Sequence, residues 1–193
     1  MSTTTVVPLE QLVSELRRCS EPDFHDLDAV RGILRRNPVE PATLAPYLLW
    51  DRQHYTRNLI DKRPLYELIA ICWEVGQSSS IHNHKDQNCW MAVPVGRLLV
   101  QNYRVLRQDL ERGTCDLVPS DQVEMNLANP VAVDPREPVH KVTNEASFGA
   151  RAVSLHVYSR PFDSCIVYSD ELHKCGEIKL VNTSEYGKRT ATA

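Results

Sequence analysis

The sequence predicts a mainly β protein of one domain, a sandwich or barrel with two or three N-terminal helices packed outside it. Three observations carry that prediction. From about residue 54 the chain breaks into short segments rich in β-branched and aromatic residues, at roughly 8–12-residue spacing with turn signals between them. The first fifty residues instead repeat apolar positions at helical spacing. A length of 193 residues with 42% hydrophobic composition suits one domain that buries its own core.

Residues 9–18 (LEQLVSELRR) place Leu9, Leu12, Val13 and Leu16 on one helical face, and residues 27–36 (LDAVRGILRR) do so with Leu27, Val30, Ile33 and Leu34. Each ends in a basic pair, which suits the negative end of a helix dipole. A third short helix is expected over 42–50 (ATLAPYLLW), with Pro46 near its first turn. Strands are expected over 66–73, 89–94, 97–105, 121–126, 130–133, 139–143, 150–158, 164–168 and 177–182. Pro94-Val95-Gly96 and Glu111-Arg112-Gly113 read as hairpin turns. The tail 183–193 is polar and reads as a loose end. The predicted organisation is therefore a single domain over 1–193: a helical segment 1–50, a β-barrel 54–182 and a polar tail.

Composition excludes several classes. A net charge of −3 provides no bulk attraction to nucleic acid or anionic lipid. No apolar run approaches the ~18 residues that span a bilayer. The N-terminus lacks a basic stretch followed by an apolar one, so no secretory signal is expected. None of the six cysteines forms a C-x-x-C pair, so a reducing, cytoplasmic setting without a disulfide framework is expected. A monomer is expected as well.

The histidines carry the chemistry. His82-Asn83-His84 follows strand 66–73 and the small-residue loop Gly76-Gln77-Ser78-Ser79-Ser80. On an extended chain, H-x-H puts both imidazoles on one face, about 7 Å apart, where they can share a metal. Taken alone, the pair reads more readily as two surface histidines at a strand end. The wider pattern is Gly76-x5-His82-x-His84-x4-Cys89-x6-Gly96, followed by His140-x3-Asn144. It resembles the two motifs of the cupin superfamily, which implies a metal held by His82, His84 and His140. Cys89 stands where that superfamily usually has a glutamate ligand. It is either a substitute ligand or something different. Three neutral imidazoles with open positions suit Fe(II), Ni(II), Co(II) or Zn(II).

Further strings narrow the resemblance. Tyr55-Thr56-Arg57-Asn58-Leu59-Ile60, Ile71-Cys72-Trp73, Ser79-Ser80-Ile81-His82-Asn83-His84, Cys89-Trp90, Ser154-Leu155-His156-Val157-Tyr158 and Pro161-Phe162-Asp163-Ser164-Cys165 occur in that order. Together, over about residues 45–170, they resemble the cysteine dioxygenase family. The resemblance implies a small jelly-roll cupin barrel that oxidises L-cysteine with O2 to cysteine sulfinic acid at one non-haem Fe(II). It assigns His82, His84 and His140 to iron, Arg57 to the substrate carboxylate and Tyr55 to a second polar contact. A guanidinium is a permanent planar fork suited to a carboxylate.

Ser154, His156 and Tyr158 alternate along one strand, so they share a face and can form a hydrogen-bond relay. The family places that relay beside the iron, with Tyr158 nearest the substrate. It also implies a thioether from Cys89 to the ring of Tyr158, with Cys165 at the pocket edge and Trp73 as a wall. Two departures stand out. Arg160 replaces the first proline of the family's Ser-Pro-Pro-Phe-Asp, which adds positive charge near the pocket mouth, and Asn83 replaces an aspartate. The alternatives are a related dioxygenase of 3-mercaptopropionate or another small thiol, or a non-catalytic metal-binding cupin. Arg57 and Cys89 favour cysteine over 3-mercaptopropionate.

Overall fold

The computed structural model describes residues 5–133 and 138–191. Its helical part is α1 (Leu9–Arg18), α2 (Glu21–His25), α3 (Leu27–Arg36) and a 3-10 turn over Pro41–Tyr47. The strands are β1 (Thr56–Arg63), β2 (Tyr66–Trp73), β3 (Ile81–His82), β4 (Cys89–Val95), β5 (Leu98–Asp109), β6 (Thr114–Met125), β7 (Val131–Ala132), β8 (Val139–Thr143), β9 (Ala152–Ser159), β10 (Ser164–Ser169), β11 (Lys174–Lys179), β12 (Ser184–Glu185) and β13 (Lys188–Arg189). One sheet runs β13-β12-β1-β2-β9-β4-β7, and six strands close on themselves in the order β10-β11-β6-β5-β8-β3. The architecture is the mainly β jelly roll with helices outside that the sequence predicts.

Period-two alternation along β2 and β9 divides the interior. Tyr66, Leu68, Ala70, Cys72, Val153, Leu155 and Val157 join Leu9, Leu12, Leu16, Val30 and Leu34 in one apolar cluster, which seats the helices on the outer face of the sheet. Ile69, Ile71, Trp73, Cys89, Met91 and Tyr158 belong to a second cluster inside the jelly roll. Every residue of β2 and β9 is buried, which is why both read as nearly continuous apolar runs. Gly96 ends the β4–β5 turn with φ of 72°, and a Cβ there would lie 2.6 Å from the Arg151 carbonyl oxygen.

The departures from the sequence reading have physical causes. β1 is absent from the predicted strands because Asn58, Asp61, Lys62 and Arg63 hide its pattern, yet Asn58 and Asp61 are buried and hydrogen-bonded. β5 and β6 run longer than predicted and form an outward hairpin with polar faces, so apolar alternation fades along them. β11 starts at Lys174, three residues before the predicted strand. α2 is short and owes its start to Ser20 and Asp23, whose side chains cap it reciprocally. The third predicted helix is a 3-10 turn that stops at Tyr47, short of residue 50, and Pro46 lies inside it. The tail is not loose: β12 and β13 lie within it, and Ser184 is fully buried. Its last two residues, 192–193, lie outside the described residues.

Arg17 on α1 grips Asp61 on β1 with two hydrogen bonds, Nη2 to Oδ1 at 2.8 Å and Nε to Oδ2 at 3.1 Å. The Tyr66 hydroxyl donates to the same carboxylate. Burial pushes the Asp61 carboxyl up, but these donors outweigh burial and hold it below the usual carboxylate range. A depressed carboxyl stabilises the fold above its unfolded pKa of about 3.9, and that stability is lost as the pH falls through the folded value. Asp61→Asn is therefore expected to cost about 1–3 kcal/mol near neutral pH. In urea unfolding, the advantage of the parent chain should shrink as the pH is lowered past about 3.9.

Candidate metal centre and its pocket

Three strand ends bring the imidazoles together. His82 closes β3, His84 lies two residues beyond it, and His140 on β8 is the register partner of His82. The ring centroids are 5.2 Å apart for His82–His84, 4.7 Å for His82–His140 and 4.8 Å for His84–His140. One ligand nitrogen from each lies within 4.8 Å of the others, the sole such cluster of three or more metal-binding side chains among the described residues. The pair of surface histidines that H-x-H alone leaves open is thus excluded.

Protonation suits a metal. Burial pushes the His82 imidazole down to about 4 and holds His84 and His140 well below the usual histidine range, so all three are neutral with lone pairs available. The His82 Nδ1 lies 2.9 Å from the Ser80 carbonyl oxygen, which fixes the proton on that nitrogen and leaves Nε2 free to ligate. Both ring nitrogens of His84 and the Nδ1 of His140 are buried with no hydrogen-bond partner. Orphaned buried nitrogens of this kind are costly unless an ion takes them up, so the residues fit a divalent metal. Cys89 is no ligand to that cluster. It sits on β4 directly opposite Tyr158 on β9.

A cavity of about 30 Å³ adjoins the cluster, with room for two or three water-sized positions. Tyr55, Arg57, Ser80, His82, His84, Tyr158, Phe162, Cys165, Val167, Ile178 and Leu180 line it. The guanidinium of Arg57 stands beside the Tyr158 phenol and acts on it electrostatically, while its Nε is buried without a partner. Tyr55 stacks on Trp73 with ring centroids 4.7 Å apart. Cys165 reaches the pocket, as expected for an edge position.

The relay along β9 is continuous. Ser154 Oγ lies 2.8 Å from His156 Nε2, and Tyr158 Oη lies 3.1 Å from His156 Nδ1. Trp73 Nε1 donates to Ser154 Oγ at 2.9 Å, so Trp73 braces the relay from behind and does not line the cavity. Burial pushes His156 down to about 3, so the ring is neutral and accepts on one nitrogen whatever it donates from the other. Burial, with Cys89 beside it, also keeps the Tyr158 phenol protonated well above its ordinary range.

Sequence reasoning missed Glu67. It is 3% exposed, faces Tyr158 across β9 and Lys62 across β1, and has a buried Oε1 without a partner. Burial pushes its carboxyl up, while Arg57 and Lys62 pull it back. Its parity with Trp73 on strand 66–73 was the available signal. Phe162, quoted only as part of a motif, packs edge-on against Tyr158 with centroids 4.9 Å apart.

The two departures named above settle differently. Asn83 turns away from the imidazoles, accepting from Ile166 N at 3.0 Å and donating to Tyr168 Oη at 3.3 Å. Arg160 does not add its charge to the metal pocket. It pairs with Glu21 at 2.5 Å on the wall of a separate cavity, and its backbone φ is 63° with no cis peptide among the described residues.

Fold and site together define a metal-binding barrel of the cupin class. The chain belongs to the family described as cysteine dioxygenase type I, whose model matches residues 1–171. Among curated proteins it is 28% identical to cysteine dioxygenase type 1 of Danio rerio, covering 94% of this chain and 89% of that one. It is 27% identical to the Homo sapiens protein of the same name, covering 96% and 90%. A solved Klebsiella pneumoniae protein with a double-stranded β-helix domain is 14% identical, with a TM-score of 0.42 over 61% of this chain and 81% of that one.

Replacing His140 by Ala should reduce bound metal from about one ion per chain to under about a tenth, read by elemental analysis after exhaustive dialysis. Asn83→Ala, which removes a side chain facing away from the cluster, should leave the metal content unchanged.

Proposed function

We propose that this chain oxidises L-cysteine to cysteine sulfinic acid, adding both atoms of O2 to the sulfur, at an Fe(II) held by His82, His84 and His140. One observation carries the reading: a metal-fitting cluster of three neutral imidazoles shares a small cavity with a half-buried guanidinium and a relayed phenol. Ferrous iron, when bound there, supplies a seat for the substrate thiolate and the electrons that activate O2.

The protein residues bind and orient. Arg57 is permanently charged and half-buried at the cavity wall, so a substrate carboxylate gains a charge-assisted hydrogen bond there in place of lost solvation. Tyr55, held by its stack on Trp73, lines the same cavity. Tyr158 exchanges a hydrogen bond with His156, which holds the phenol, and stands beside the Arg57 cation. The relay through His156, Ser154 and Trp73 holds the phenolic proton in place at neutral pH and lets it shift along a short path when charge develops nearby. Phe162, Val167, Ile178 and Leu180 exclude bulk water from the reacting sulfur.

Cys89 and Tyr158 are direct cross-strand partners, a relation that puts Cβ atoms about 4.5–5.5 Å apart. That supports a thioether from Cys89 Sγ to the ring carbon beside the Tyr158 hydroxyl. One hydrogen leaves the sulfur and one leaves the ring, and O2 takes up both with their two electrons to become H2O2. The bond would lock the phenol and remove a thiol from the site. No helix among the described residues is long and apolar enough to cross a membrane. With six free thiols, the chain is read as a cytoplasmic monomer.

Oxygen uptake by the iron-loaded protein should be faster with L-cysteine than with 3-mercaptopropionate, with sulfinate as the product. A zinc-loaded protein indifferent to cysteine would instead mark a binding module. Arg57→Gln should raise the KM for L-cysteine by about 10- to 100-fold, the scale of one charged hydrogen bond. Intact-mass spectrometry after turnover should show the loss of two hydrogens, absent in Cys89→Ser. A peptide map in which the two residues stay unlinked after many turnovers would refute the thioether.

A further inference from the structure

The pocket around Arg57 is completed by chain beyond residue 171, where the family match ends. Ile178 and Leu180 line it. The chain then runs as β12 parallel to β1, with Asn58 opposite Ser184 and Leu59 opposite Glu185. The Thr183 N–H donates to the Arg57 carbonyl oxygen at 2.7 Å, and the Arg57 N–H donates to Thr183 Oγ1 at 3.3 Å. The Ser184 hydroxyl donates to Asn58 Oδ1 at 2.8 Å, and the Asn58 amide in turn donates to Thr56 Oγ1 at 3.0 Å and the Ala70 carbonyl at 3.3 Å.

We propose that Thr183 and Ser184 are positioning residues for the Arg57 guanidinium, so that the C-terminal segment sets how tightly the site holds the carboxylate of its substrate. The proposal rests on the cysteine-oxidising function above. Both main-chain polar groups of Arg57 are bonded to one residue, Thr183. Asn58 and Ser184 are each fully buried, so neither side chain can turn to water if its partner is lost. Arg57 Nε makes no hydrogen bond of its own. The direction of the guanidinium is therefore set from the strand outward, and the strand is set by the C-terminal segment. Tyr186 extends the grip by donating to the Leu59 carbonyl at 2.8 Å, and Thr190 ties the hairpin back to Asn182 at 2.6 Å.

The test uses the full chain loaded with equal iron and titrated calorimetrically without O2. The ligands are L-cysteine and cysteamine, which shares its amine and thiol but has no carboxylate. Ser184→Ala should weaken L-cysteine binding about fivefold and leave cysteamine binding unchanged. In an Arg57→Gln background the same change should weaken L-cysteine no further, because its effect passes through the guanidinium. Thr183→Ala, which keeps the shorter main-chain bond, should give the same pattern at smaller size and decides the matter if Ser184→Ala fails to fold. Equal weakening for both ligands, unchanged L-cysteine affinity, or a full loss persisting without Arg57 would overturn the proposal. A parent chain that binds neither ligand and takes up no O2 with L-cysteine would remove the cysteine reading itself, and this proposal with it.

Discussion

The site depends on one constraint: β9 must be buried on both faces in a fixed register between β2 and β4. Val153, Leu155 and Val157 face the helices, and Ser154, His156 and Tyr158 face inward. A slip of one residue would send the three apolar side chains into the polar pocket and the relay into the helix layer. Each buried Val or Leu contributes about 1.5–3 kcal/mol, so the outward face alone gives the register a strong energetic reason. The helices thus act on the chemistry at a distance by making only one alignment of β9 affordable. Cys89 opposite Tyr158, Met91 opposite His156 and Glu67 opposite Tyr158 then follow from that alignment.

The electrostatics of the pocket follow from its dryness. Burial strips three imidazoles and His156 of their protons, keeps Tyr158 a phenol, and leaves Arg57 as the permanent cation. Glu67 is the buried carboxylate that answers Arg57, and it also answers Lys62 at 4.0 Å. One shared carboxylate leaves the region short of negative charge once a divalent ion is added. An anionic substrate supplies what is missing, and a thiolate with a carboxylate supplies it at two points. The preference for a small anionic thiol is in this sense a statement about charge balance in a low-dielectric cavity.

Much of this was legible because the chemistry sits on regular alternation. H-x-H, the Ser154–His156–Tyr158 period and the apolar runs 66–73 and 150–158 are visible in the sequence itself, whereas His140 entered only through the resemblance of His140-x3-Asn144 to a cupin motif. Other features were hidden where polar residues are buried for structural reasons. Strand 56–63 is missing from the predicted strands because its polar Asn58 and Asp61 are satisfied by partners 126 and 44 residues away, Ser184 and Arg17. Glu67 was missed because a carboxylate in an apolar run looks like an edge residue until its strand is known to be covered on both faces. The tail read as loose because composition alone does not register a parallel partner strand.

These hidden polar groups share a physical role. An apolar contact tolerates sliding, whereas a buried hydrogen bond is satisfied at one alignment and costly elsewhere. Asn144, fully buried, donates to the carbonyls of Trp73 at 3.3 Å, Glu74 at 3.1 Å and Ala150 at 3.0 Å, and so fixes the end of β2 against the start of β9. Asp61 fixes β1 against α1, and Ser184 fixes β1 against β12. Trp73 and Ser154 do the same across β2 and β9. Each restraint lies within a strand or two of a side chain that lines the pocket. The apolar clusters make the jelly roll stable, and this sparse set of directional bonds converts a stable barrel into one whose guanidinium, phenol and imidazoles meet at a single point.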